Sequence, residues 1–517
     1  MPAASASARA RRDAAGPRLA LDLALLSPAA AARVARHPAV AALRTAAGSR
    51  SRSAAEEVIW LDTPEGDLAA EGLTLEAPAR GPRRRLRTLP APGAPWLPGT
   101  PAAEAPAPAA PGEEPTGLVP FAAFSGRRTT VRLVRAEAGD AAPAAAASLA
   151  LELLQGKLRA VAAERPVARL RLSGPEGQVV ELARALAADL PVLPSAAALA
   201  EEGRALARGE ATPRPRRRGP PDLGAAGSVE AALEVAIGHL LEVMLHQAPL
   251  CRAEAGPEGV HQTRVALRRL RSVLKAFRPA ARCAEMDAFD AGLKALARRL
   301  GEARDLDVFL HAGGVGARAA EALPDDRRIA ALTKALEGRR AAAYRALREA
   351  LDGPGFRLLV LDGLALAVLR PWRTEGAEAA EALAEPLPDF AARLLDKRWH
   401  RLRSEGEEIR SLSAEELHAL RLTAKRLRYA AELFAPLWPG KAARRFLKRL
   451  AALQEELGLA NDAAVARGIV ASLGPSVPAW AVGAVEGFAV ARTGGARKRA
   501  LSAWDDLAAA APFWSGR

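Results

Sequence analysis

Apolar positions change their period partway along the chain. Up to about residue 208 they alternate with polar positions in short runs, and "LALDLAL", "EEVIWLD", "GLTLEA", "RRTTVRLV" and "VARLRLSG" read as strands. A Pro/Ala-rich, low-complexity insert occupies 89–115. Beyond residue 224 apolar residues recur at spacings of three and four, which predicts long helices and almost no strand. Between the two regimes lies "RGEATPRPRRRGPPDLGAAG", where Pro, Gly and Arg crowd together without period, as in a solvated linker. The expected organisation is a leader over 1–17, a β-rich α+β domain over 18–208, a linker over 209–223 and an all-α domain over 224–517. Basic residues precede the apolar stretch at 19–25, as in a signal peptide, but Asp22 interrupts that stretch, so it is expected to be the first strand.

The helical part contains an internal repeat. Residues 256–305 laid over 413–462, at an offset of 157, align His261 with His418, Arg264 with Arg421, and Arg268, Arg269, Leu270 and Arg271 with Lys425, Arg426, Leu427 and Arg428. Phe277 meets Phe434, Gly301 meets Gly458, and Asp305 meets Asp462. In "HQTRVALRRLRSVLKAF" the positions His261, Arg264, Arg268, Arg271 and Lys275 form one stripe along a helix, and Leu267, Leu270, Leu274 and Phe277 form a second, about 100° around. The apolar stripe would dock the helix while the basic stripe lines its flank. The second copy repeats the basic stripe with His418, Arg421, Lys425 and Arg428, although Glu432 stands opposite Lys275. Ser413 and Glu416 form a capping-box pattern that would start its helix. Lys441, Arg445 and Lys448 add cations on one face of "KAARRFLKRL".

Charge sharpens this picture. The 517 residues carry 74 Lys+Arg against 59 Asp+Glu, a net charge of +15, which favours a polyanionic partner or an anionic surface. Like charges three or four residues apart repel, so an all-basic helix stripe suggests an external partner of opposite sign. Aromatic residues are only 4%; a nucleic-acid reader more often interleaves them for stacking, and only Tyr429 sits near either stripe. Cys251 and Cys283 make neither a disulfide framework nor a metal-ligand spacing, so a reducing cytoplasm is the default. No apolar run reaches the length of a membrane span.

"VHQTRVALRRLRSVLKAF", "LARRLGEARDLDVFL", "LHALRLTAKRLRYAAELF" and "LQEELGLANDAAVA" resemble the CHAD family over about 224–517. The resemblance implies two pseudo-symmetric helical bundles facing each other across a basic groove that binds inorganic polyphosphate. Its lining would be His261, Arg264, Arg268, Arg271 and Lys275, with His418, Arg421, Lys425 and Arg428 opposite and Lys441, Arg445 and Lys448 added from charge spacing. His261 and His418 could equally cap or pack a helix start, Asp305 and Asp462 are expected to be structural, and Arg269 and Arg426 lie off the stripe and are expected to be solvated.

"VIWLDTPEGDLAAEGLTLE" and "LVPFAAFSGRRTTVRLV" resemble the CYTH family of triphosphate tunnel barrels over about 18–208. The resemblance implies an antiparallel barrel whose opening E-x-E-x-K strand holds a divalent metal. Here that strand is "LALDLAL", with Asp22 its only acid, and Arg169 and Arg171 stand where a later strand carries acids. Arg127, Arg128 and Arg132 could still contact phosphate or simply be exposed on a strand. The expectation is a cytoplasmic polyphosphate-binding protein associated with polyphosphate granules, without catalytic residues, metal or cofactor. The alternatives are an active triphosphatase or polyphosphatase and a nucleic-acid-associated basic protein.

Overall fold

The computed structural model describes residues 18–43, 51–78, 84–89, 117–133, 149–214, 217, 219–311, 313–373, 377–474, 477–492 and 494–515, without the side chains of 414, 460–464 and 492. The expected leader, residues 90–115 of the insert, and residues 215, 216 and 218 of the linker lie outside this set. Two compact units interleave along the chain, one comprising 1–218, 237–249 and 351–371, the other 219–236, 250–350 and 372–517.

The first unit is built on one curled antiparallel sheet of eight strands: β1 (Arg18–Leu25), β2 (Arg52–Asp62), β3 (Leu73–Pro78), β4 (Arg85–Thr88), β5 (Val119–Leu133), β6 (Leu149–Ala160), β7 (Ala163–Pro175) and β8 (Val192–Pro194), in the order β4-β3-β2-β5-β6-β7-β1-β8. Period-two alternation gives the sheet two unlike faces. Leu21, Leu23, Leu151, Leu170 and Leu172 are buried on the face packed by α1 (Glu176–Asp189), and helix Pro354–Leu369 packs on α1 in turn. The opposite face carries Asp22, Glu56, Arg128, Glu152 and Arg171 and is partly covered by α2 (Leu199–Ala207). Across β5 and β6, Gly126 and Gly156 pair where a Cβ on either would lie within 2.3 Å of the other strand's carbonyl oxygen, so the close approach requires both glycines. β6 went unread in the sequence because the leucines of "LALELLQGKL" are also spaced as in a helix. β4 and β8 are too short to carry a period.

The second unit is helical. Its helices include α3 (Val229–Gln247, which also runs into the first unit), α4 (Glu258–Phe277), α5 (Ala284–Leu310), α6 (Arg327–Asp352), α7 (Leu387–Gly406), α8 (Ala414–Phe434), α9 (Lys441–Ala471) and α10 (Ala479–Arg492). Leu267, Leu270, Leu274 and Phe277 are all buried, as their stripe predicts. Phe277 stacks on Phe390 of α7 at 5.4 Å and meets Phe434 of α8 at 5.9 Å, so three helices share one aromatic anchor. Truncating either repeat phenylalanine to alanine would cost about 3–5 kcal/mol through lost burial and the cavity left behind. α8 begins with the capping box expected of Ser413 and Glu416, with Ser413 N donating to Glu416 Oε2 at 2.7 Å and Glu416 N to Ser413 Oγ at 3.3 Å.

Candidate functional site

The aromatic anchor fixes the rotation of α4, which turns its basic stripe toward α7 and α8. Arg264, Arg268, Arg271 and Lys275 line a groove of about 570 Å³. Lys425, Arg426 and Tyr429 of α8 line it too, as do Lys397, Arg398 and Arg401 of α7. The remaining walls are Leu267, Ser272, Ala297, Leu394, Leu422 and Thr423, and no carboxylate is among them.

Burial first, and nearby like charge second, perturb the groove's titratable groups. Burial, and then the nearby Arg268, Arg421 and Arg264, push the Lys425 ammonium down to about 8. Burial and Arg426 push Arg398 down to about 10. Burial is also the main cause lowering Arg268 and Lys275. The Arg268 guanidinium lies 5.0 Å from the Tyr429 ring, while its buried Nε has no hydrogen-bond partner. Buried donors are normally satisfied, so this unpartnered guanidinium nitrogen stands out beside a groove whose lining holds no carboxylate, although Arg271 and Arg401 are bonded to Asp290 and Glu405 behind it.

Arg264 and Arg268 also border a second cavity of about 510 Å³, lined by His261, Arg304, Asp305, Asp307, His311 and Arg421 among others. The two cavities therefore meet across these arginines. Asp307, only 1% exposed, accepts from Arg340 Nε at 2.7 Å and Tyr344 Oη at 2.8 Å of α6, so its charge is compensated internally. Burial and Arg304 hold His261 below its ordinary range, which keeps it neutral at pH 7. The Nε of Arg421 is buried without a partner, like that of Arg268. The repeat is legible here: Arg264 lies 3.7 Å from where a Cβ at Gly301 would sit, and Arg421 lies 3.8 Å from the corresponding point at Gly458. In each copy a glycine leaves a flat helix surface against which the arginine rests.

The other sequence candidates fall elsewhere. Arg271 lines the groove while bonded to Asp290 at 2.7 Å. Arg428 turns to Glu432 at 2.7 Å and Gln454 at 3.3 Å and lines neither cavity. His418, Lys441, Arg445 and Lys448 are exposed and line neither. Arg426, expected to be solvated, lines the groove, and its carbonyl accepts from Arg398 Nη1 at 2.8 Å. Arg269 lies 3.9 Å from Glu432, outside the groove. The side chain of Asp462 is outside the described set. Sequence reasoning missed α7 entirely. Its signal was present in "LLDKRWHRLR", where Lys397, Arg398 and Arg401 flank the buried Leu395, Trp399 and Leu402, but acids nearby and its place outside the repeat hid it.

In the first unit the arginines and carboxylates of the concave face are paired. Arg171 donates to both oxygens of Asp22 at 2.7 Å, and Arg128 donates to Glu56 at 2.5 Å and Glu152 at 2.8 Å. The bond to Glu56 is the first cause raising Arg128, and that to Asp22 the first cause raising Arg171. Arg169 donates to Glu202 and to the Ala197 carbonyl. Among the described residues there is no group of three or more His, Cys, Asp or Glu that could hold a metal ion, and no helix long and apolar enough to cross a membrane.

Residues 235–471 match the family model of the CHAD domain. Among solved structures, the chain is similar to the crystal structure of the CHAD domain from the plant Ricinus communis, at 29% identity and a TM-score of 0.48, covering 57% of this chain and 97% of that one. It is also similar to PptA from Streptomyces chartreusis, at 17% identity and a TM-score of 0.40, covering 54% of this chain and all of the other. No curated protein matches the chain. By the family match, residues 235–471 form a CHAD domain.

Proposed function

We propose that the helical unit binds inorganic polyphosphate along the groove between α4, α7 and α8. One observation carries this reading: Arg264, Arg268, Arg271, Lys275, Lys397, Arg398, Arg401, Lys425 and Arg426 line one groove with no carboxylate among the lining residues. Cations held this close raise the energy of the unliganded protein, and a polyanion relieves the repulsion on binding. A polyphosphate chain has no bases to read, so a rigid basic wall suffices. Arginine suits such a wall because its planar fork contacts phosphate oxygens in pairs and stays charged. Tyr429 is the one aromatic residue lining the groove, and Arg268 lies over its ring, which leaves little platform for stacked bases.

In this reading the two repeat copies form pseudo-symmetric halves that contribute unequally. The first copy supplies a full stripe, the second Lys425 and Arg426 in the groove and Arg421 in the adjoining cavity. The sheet is read as a CYTH-like barrel that no longer hydrolyses phosphoanhydrides, a reading supported by the arginines held on Asp22, Glu56 and Glu152. The protein would act as a cytoplasmic adaptor to polyphosphate granules. Competition binding on the full chain tests this. Long-chain polyphosphate should displace a labelled polyphosphate probe far better than single-stranded DNA or tripolyphosphate at equal phosphate concentration. Displacement by DNA at equal strength would instead assign the groove to nucleic acid.

A further inference from the structure

The concave face of the sheet encloses a cavity of about 380 Å³ within the first unit, and the groove's function leaves it unused. Five strands carry charged residues around its wall, among them Glu56 (β2), Arg128 (β5), Glu152 (β6), Arg171 (β7) and Asp22 (β1). These form a belt of alternating sign. Arg128 bridges Glu56 and Glu152, Glu152 stands opposite Arg171 in the strand register, and Arg171 holds Asp22. A further pair, Arg87 and Glu76, meets at 2.5 Å, and the Trp60 indole donates to the same glutamate at 3.3 Å. With Arg169, the lining holds Asp22, Glu56, Glu76 and Glu152 against Arg87, Arg128, Arg169 and Arg171, so its formal charge is zero. The remaining walls include the apolar Val58, Trp60, Phe124, Leu154 and Leu199.

Two hydroxyls in this lining have no partner. Ser195, 6% exposed, and Thr74, 4% exposed, carry buried oxygens without a hydrogen bond. Ser195 sits beside the belt, its N–H donating to the Asp22 carbonyl at 2.8 Å, and Thr74 lies two residues from Glu76 on β3. A buried hydroxyl left unpaired costs free energy, and a ligand able to donate or accept there removes the cost.

We infer that this cavity binds a small zwitterion with an apolar side group, of the class of free apolar α-amino acids. The charge pattern selects it. A ligand of one sign must pull a partner out of an ion pair and leave the other charge uncompensated in a partly buried site. A ligand carrying both signs can extend the belt at a carboxylate and an arginine together, while its side group rests on Trp60, Phe124 and Leu154. A polyanion such as tripolyphosphate would meet as many carboxylates as guanidinium groups.

Titration calorimetry on the full chain tests the inference with L-phenylalanine and L-leucine as probes. Phenethylamine and 3-phenylpropanoate, each carrying a single charge, serve as matched controls. At least one of the two amino acids should bind saturably, at one site, and at least tenfold more tightly than either control. Ala20→Trp, which places an indole into the cavity from an exposed lining position on β1, should abolish the binding. Thr74→Val, close in shape and without the unpaired hydroxyl, should weaken it while melting no earlier than the parent, which covers the case in which Ala20→Trp fails to fold. Arg268→Gln/Lys425→Gln in the helical groove should leave it unchanged, so failure here is distinguishable from failure of the polyphosphate reading. The inference is overturned if neither amino acid binds saturably, if a single-charge control binds equally well, or if a folded Ala20→Trp protein binds as the parent does.

Discussion

On the proposed function, Lys425 would make polyphosphate binding a proton-linked reaction. Its ammonium is pushed from an ordinary 10.5 down to about 8 in the unliganded groove, first by burial and then by Arg268, Arg421 and Arg264. A polyanion in the groove supplies the missing counter-charge and returns the group toward its ordinary value. The sign follows from linkage: the complex holds the proton more tightly than the free protein, so affinity is full below pH 8 and falls as pH rises through it. With 8 free and 10.5 bound, the weakening from pH 7 to pH 9 is about tenfold, and at pH 8 binding takes up about half a proton. Neighbouring groups do not reverse this. Tyr429 is raised and stays neutral, and Arg398, lowered to about 10, and Lys275, also lowered, add to the trend. His261 lies below its ordinary range and contributes only in more acidic solution. Calorimetry at constant ionic strength, in buffers of different ionisation enthalpy, measures both quantities. Lys425→Arg, which keeps the charge and cannot titrate here, should flatten most of the slope. An affinity independent of pH between 7 and 9, or a full slope surviving in Lys425→Arg, would refute the reasoning.

Three further outcomes are expected. Arg264 to Lys275 is a rail of about 16 Å at 1.5 Å per residue, so affinity per chain should rise steeply from pyrophosphate upward until the chain spans the rail, then level off; a flat dependence on length would contradict it. Lys397→Gln/Arg401→Gln should weaken binding and lower the slope of log affinity against log salt by about two contacts' worth, read from titrations at several salt concentrations, and an unchanged slope would remove α7 from the groove. The purified protein should release no phosphate from tripolyphosphate with Mg²⁺ or Mn²⁺ in a malachite green assay, and release that disappears in Asp22→Ala would reinstate a hydrolytic site.

The parts legible in the sequence were those written locally. The Leu267, Leu270, Leu274 and Phe277 stripe, the Ser413 capping box and four internal strands each depend on residues a few positions apart. The groove itself depends on which helices meet. Charge spacing put Arg428 on the stripe, but Glu432 lies four residues on and takes it, while Arg426 swings to the wall where Arg398 donates to its carbonyl. α7 lies outside the repeat, so nothing local linked its cations to those of α4. In the sheet, Asp22 read as the last remnant of an acidic strand, whereas Glu56 and Glu152 join it on the same face through pairings across as many as 149 positions. Long-range register of this kind leaves no trace in a window of ten residues.

The central claim is that binding resides in the groove and does not follow total charge, and a matched pair of double variants tests it most directly. Arg268→Gln/Lys425→Gln removes one arginine and one lysine from the groove, while Arg445→Gln/Lys448→Gln removes the same types from the exposed face of α9, where they line neither cavity. Hydrogen bonds to charged groups contribute about 1.5–3 kcal/mol each, so the groove pair should weaken long-chain polyphosphate binding by well over tenfold. It should melt no earlier than the parent, because the charges removed repel their neighbours in the free protein. The α9 pair should bind as the parent does. Equal losses from both pairs would show that affinity follows net charge alone, and the groove would then not be the binding site.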